Sequence, residues 1–80
     1  MLIRWFAAAE DAAGAGSTHL DTSPGMTVQE VLDLASADNL ALAQVISVST
    51  ILLDGKACSD RNLTVRGHAL LDVLPPFAGG

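Results

Sequence analysis

The sequence contains one cysteine, Cys58, and four basic residues among 80. A single thiol excludes a disulfide framework, a cysteine-ligated zinc site and an iron–sulfur cluster within one chain. Nine acidic residues against four basic ones give a net charge of −5. So few cations neutralise phosphates poorly, so no nucleic acid is expected as a partner. The acidity suits either plain solubility or a partner with a basic docking surface. No apolar run approaches the roughly 18 residues of a membrane helix, so no membrane is expected as a partner. Residues 1–15 lack the charged-then-apolar layout of a secretory leader, and a cytoplasmic location is the expectation. There is no internal repeat, no phosphate-cradling glycine-rich loop and no plausible catalytic cluster. What is abundant is apolar residues, half of the chain. That excludes intrinsic disorder and fits one small domain.

Leu2–Ala7 is apolar apart from Arg4 and carries Ile3, Trp5 and Phe6, which reads as a buried strand. Residues 8–16 are rich in Ala and Gly and fit either one helical turn ended at Gly14 or a loop. Thr18–Asp21 alternates and suits a second strand. After Pro24-Gly25, Thr27 and Glu30 have the spacing of a capping box. Val28, Val31, Leu32 and Ala35 follow at i, i+3, i+4 and i+7, predicting a helix over 28–37 with Gln29, Asp33 and Ser36 away from its apolar face. Leu40–Ile46 is ambiguous and suits a short second helix. Val48–Leu53 reads as a strand leading into Asp54-Gly55, the strongest hairpin signal in the chain, with a short strand at Lys56–Cys58. Leu63 and Val65 look like isolated core contacts. Ala69–Leu74 is a last strand, with Leu71 and Val73 on one face and Asp72 on the other.

The first and last strands are the most apolar, as strands at the centre of a sheet would be. The expected fold is therefore α+β: a β-grasp, or ubiquitin-like, domain over residues 1–74. Its mixed sheet has about four or five strands, with one main helix packed on one face. Residues 75–80 form an extended tail. Pro75-Pro76 cannot continue a central strand and favours a stiff extended stretch. Gly79 and Gly80 can approach another surface closely. A stiff lever, an apolar anchor at Phe77 and a thin tip ending in a carboxylate suit insertion into a narrow tunnel of a partner.

Pro75-Pro76-Phe77-Ala78-Gly79-Gly80, preceded by Asp72-Val73-Leu74, resembles the carboxy-terminal signature of the MoaD/ThiS sulfur carriers. The nearest branch is the small subunit of molybdopterin synthase. The run from Ile3 to Gly14 is similar to that branch's opening strand and turn. Two features depart from the pattern: Glu10 or Asp11 stands near the place of a usual arginine, and Arg66-Gly67-His68 replaces a frequent Asp-Gly-Asp turn. The resemblance implies that Gly80 is the reacting residue. An ATP-dependent adenylating enzyme would activate it, and a sulfurtransferase would convert it to a thiocarboxylate. The large subunit of molybdopterin synthase, in a heterotetramer, would receive it to build the molybdopterin dithiolene from a cyclic pyranopterin. Pro75, Pro76, Phe77, Ala78 and Gly79 would be the partner-binding tail. The chain itself would be non-catalytic alone, binding neither cofactor nor metal, with ATP used by the activating partner.

The other functional classes are a sulfur carrier for thiamine or cysteine synthesis, a ubiquitin-like protein modifier, and a binding module with an inert tail. Cys58, two residues from Lys56, reads as a structural thiol rather than a sulfur relay. His19 and His68 read as ordinary strand or turn residues, and Asp38, Asp60 and Asp72 as a solvated face. Arg4 is expected on the open side of the sheet, where neighbouring aliphatic residues would offer a docking patch if contiguous.

Overall fold

The structure, a computed structural model, describes residues 1–76. Strand β1 (Leu2–Trp5) leads into helix α1 (Ala8–Ala13) and returns as β2 (Ser17–His19). Helices α2 (Val28–Ala35) and α3 (Leu40–Ser47) follow, then the hairpin β3 (Thr50–Leu53) and β4 (Lys56–Ala57), and finally β5 (Leu70–Leu74). The five strands form one mixed sheet in the order β2-β1-β5-β3-β4. The first and last strands run parallel at its centre, with Ile3 opposite Leu71 and Trp5 opposite Val73. The other pairings are antiparallel. This is the β-grasp arrangement.

One face of the sheet supplies the core. Ile3, Trp5, Ile51, Leu71 and Val73 pack with Val28, Val31 and Leu32 of α2, Leu42 and Ile46 of α3, and Ala9 of α1. The Trp5 indole Nε1 donates to Thr18 Oγ1 at 2.9 Å, so the buried ring has a partner for its one polar atom.

The ends of the helices follow local chemistry. Both halves of the capping box are made: Thr27 Oγ1 accepts from the Glu30 N–H at 3.1 Å, and Glu30 Oε1 from the Thr27 N–H at 3.0 Å. The helix stops at Ala35 rather than Ala37: past Ser36 the bonds tighten to the i→i−3 pattern, the Ala37 N–H donating to the Leu34 carbonyl at 3.4 Å and the Asn39 N–H to the Ser36 carbonyl at 3.0 Å. The 8–16 segment is a helix ended by Gly14 at φ 77, and 40–46 is a helix as well. Asn39 joins them, accepting from the Leu42 N–H at 3.0 Å and donating to the Ala12 carbonyl at 2.8 Å. Arg61 donates to the carbonyls of Ile46 (3.2 Å) and Ser49 (2.8 Å) at the far end of α3.

Further boundaries and contacts differ from the sequence reading. Strand β3 begins at Thr50 because Val48 caps α3. Strand β4 ends at Ala57, and β2 is displaced to Ser17–His19. Leu63 is not a core contact: its carbonyl accepts from the Val28 N–H at 2.9 Å while its side chain is 47% exposed. Val65 is buried as expected. Asp54-Gly55 makes the hairpin turn, with φ 50 and 84.

Thr27→Ala removes the cap that starts the main core-facing helix. A loss of about 1 kcal/mol is expected, a fall in melting temperature of about 4–8 °C for a domain of this size. Thermal unfolding followed by the buried Trp5 fluorescence measures it, and an unchanged midpoint would contradict the role given to the cap.

Candidate functional site

Alternation along β5 divides its side chains. Leu71 and Val73 face the helices, so Leu70, Asp72 and Leu74 face the open side. The register extends that side across the sheet. Leu70 lies beside Leu2, Asp72 lies between Arg4 and Leu52, and Leu74 lies beside Thr50. The aliphatic residues of the open face therefore lie around Arg4 and Asp72, with Leu2 and Leu70 side by side. The helices cover only the other face, which leaves half-buried Leu2, Leu52, Leu70 and Leu74 available to another surface.

At the middle of this face stands an ion pair. Arg4 Nε donates to Asp72 Oδ1 at 2.6 Å, and Nη2 to Oδ2 at 2.8 Å, a bidentate arrangement. The two side chains differ in exposure: 46% for Arg4, 6% for Asp72. The hydrogen bonds Arg4 donates to Asp72, and secondly the Asp72 charge, raise the Arg4 pKa further above its ordinary value, against an opposing effect of burial. Arg4 is on the open side as expected. Asp72 is a correction: it shares that side but is buried beneath the guanidinium rather than solvated, because the parallel pairing sets Arg4 directly beside it.

Phe6 is an aromatic that the sequence reading assigned to a buried strand. It is 38% exposed, with the Arg4 guanidinium carbon 5.8 Å from its ring centroid. Its N–H donates to the Val73 carbonyl at 3.2 Å, so the β1–β5 ladder runs past the last assigned residue of β1. Ala7, at φ 51, then turns the chain into α1. Alternation along Leu2, Arg4 and Phe6 was the signal that could have placed the ring on the open face.

The tail leaves the sheet beside this aromatic. Pro75 is half-buried and Pro76 exposed, directly after Leu74. Phe77, Ala78, Gly79 and Gly80 lie outside the described residues. Cys58 packs against the core edge, and its Sγ donates to the Asp60 carbonyl at 3.2 Å. His19 is on β2 and His68 in the turn before β5, both exposed. Among the described residues no three His, Cys, Asp or Glu side chains gather as metal ligands. No described helix is long and apolar enough to cross a membrane. A shallow groove of about 410 Å³ between α2 and α3 includes Asp33 and Arg61, but that guanidinium is engaged by main-chain carbonyls. The described residues thus present an open sheet face centred on Arg4 and Asp72, with Pro75 and Pro76 following its central strand β5.

These features define a β-grasp protein whose sheet is open on one side. No family model matches the chain, and no curated protein matches it. Solved structures do. The crystal structure of SAMP1, a small archaeal modifier protein from Haloferax volcanii, matches with a TM-score of 0.86 at 23% identity, over 99% of this chain and 97% of that one. A putative molybdopterin converting factor subunit 1 from Pyrococcus furiosus matches with a TM-score of 0.82 at 13% identity, over 94% of each chain. The complex of subunits 1 and 2 of the molybdopterin-converting factor from Helicobacter pylori matches with a TM-score of 0.71 at 16% identity, over 99% of this chain and 96% of that one. At such identities the likeness is one of fold.

Arg4→Leu leaves the Asp72 carboxylate buried without its partner, and the melting temperature is expected to fall. The double variant Arg4→Leu/Asp72→Leu is expected to recover most of that fall, since an apolar pair often replaces an ion pair at little cost. A double variant no more stable than the single one would show that the sheet needs the pair itself.

Proposed function

We propose that this chain is a sulfur carrier of the molybdopterin-converting-factor kind, acting as a protein cosubstrate. The observation that carries the reading is the sequence motif Pro75-Pro76-Phe77-Ala78-Gly79-Gly80, whose described residues Pro75 and Pro76 directly follow the central strand β5. A carboxylate is a poor acyl electrophile at neutral pH. In this reading an adenylating enzyme joins the Gly80 carboxylate to AMP, releasing pyrophosphate from ATP. Sulfide, released from a sulfurtransferase persulfide by a thiol that is oxidised to a disulfide, then displaces AMP and leaves a thiocarboxylate. The loaded tail enters the large subunit of molybdopterin synthase while the open face docks on its surface, and the sulfur passes to the cyclic pyranopterin. Support comes from the tail motif, from the β-grasp fold, and from the likeness to a structure of subunits 1 and 2 in complex.

The likeness to SAMP1 favours a second reading, that of a modifier whose activated Gly80 acylates a lysine of another protein. The two part at the product. Incubation with ATP, a sulfur source and lysate of the source cells, followed by intact-mass measurement, is expected to show one oxygen replaced by sulfur. A Gly80-deleted control should not change. Lysine conjugates without any thioacid would overturn the carrier reading in favour of the modifier.

Two variants test the tail. One residue added after Gly80 should abolish pterin synthesis while leaving unfolding unchanged, because the carboxylate is then no longer at Gly80. Retained synthesis without processing would sink the proposal. Phe77→Ala should weaken binding to the large subunit by about 1–3 kcal/mol, the scale of an aromatic anchor. An unchanged dissociation constant would show that the ring anchors nothing.

A further inference from the structure

The guanidinium of Arg4 carries five N–H donors, and Asp72 engages two of them. No other acceptor meets Arg4 among the described residues, so three donors are left to water on a side chain that is 46% exposed. Around them lie Leu2, Leu52, Leu70, Leu74 and Phe6. A partner surface that covers these apolar side chains also strips the water from Arg4. Donors on a charged group that lose water and gain nothing are costly.

Resting on the docking reading above, we infer that the partner presents a neutral hydrogen-bond acceptor, a main-chain carbonyl or side-chain amide oxygen, to the outer edge of Arg4. It sets this acceptor within an otherwise apolar surface. The acceptor is neutral because Asp72 already balances the guanidinium charge at 2.6 and 2.8 Å. A second carboxylate would leave a net negative charge enclosed at the interface, and this chain's net charge of −5 already disfavours acidic surfaces. Arg4 then selects the partner: a purely apolar surface of the same shape is rejected, because it leaves three donors unpaired.

The sign of one measurement decides. The probe is the molybdopterin-converting-factor subunit 2 of the source cells, and the variant is Arg4→Leu/Asp72→Leu, which keeps the centre of the face neutral and makes that centre apolar. If the partner supplies an acceptor, the variant strands that acceptor, and binding should weaken about tenfold to hundredfold. If the partner face is merely apolar, the variant removes a desolvation cost and binds as tightly or more tightly, which overturns the inference. A second measurement needs no variant. Hydrogen exchange of the Arg4 guanidinium protons, followed by NMR, should slow in the wild-type complex. Exchange as fast as in the free protein would also overturn it. Failure of the wild type to bind subunit 2 at all would overturn the docking reading, and this inference with it. Binding that survives the double variant unweakened removes this inference alone.

Discussion

The parallel pairing of the first and last strands is the constraint on which the molecule depends. Strands β1 and β5 come from opposite ends of the chain, and everything between them serves as the crossover that a parallel pair requires. That pairing joins Ile3 and Trp5 to Leu71 and Val73 as the floor of the core. The same register, read on the other side, sets Arg4 beside Asp72 and Leu2 beside Leu70. It also sends Pro75 off the end of the sheet next to Phe6. Core, open face and exit of the tail are three consequences of one register.

The helices enforce the difference between the two faces. Helices α1 and α3 are tied by Asn39, α3 is closed at its far end by Arg61, and α2 is held by its capping box. All of this hydrogen bonding lies on one side of the sheet. The open side is left with leucines, Phe6, a few strand polar residues such as Thr50, and one ion pair at its centre. In a chain this short, apolar side chains left half-buried on that face contribute less to folding than those of the core.

Local signals in the sequence were legible where the physics is local. Thr27 and Glu30 announce a helix start because two residues three apart satisfy each other's backbone. Asp54-Gly55 announces a hairpin because both positions need positive φ. The most apolar strands belong at the centre of the sheet, and the tail motif can be read without any structure. What could not be read was non-local. The fate of Asp72 depends on a partner 68 positions away, and alternation alone shows its face but not its burial. Phe6 looked buried within an apolar run; alternation past Trp5 pointed to the open face, and the continuation of the ladder to Phe6 places its ring there. Leu63 looked like core because it is apolar. Its backbone, not its side chain, does the packing against α2.

The ion pair also explains why the open face can be apolar and still well defined. A strand slipped by one residue turns every side chain to the opposite face. Slipping β1 against β5 in that way would drive the Arg4 guanidinium into the core, among Leu32, Ile51 and Val73, with no carboxylate to meet it. Apolar side chains alone would tolerate such a slip far better, since the core face of the central strands is apolar and the rest of their open face is leucine. Arg4 and Asp72 thus penalise the wrong register, while costing little in the right one because the guanidinium keeps nearly half its surface in water. An ion pair kept at the edge of burial sets the alignment of the central strands, and the alignment fixes where the tail begins.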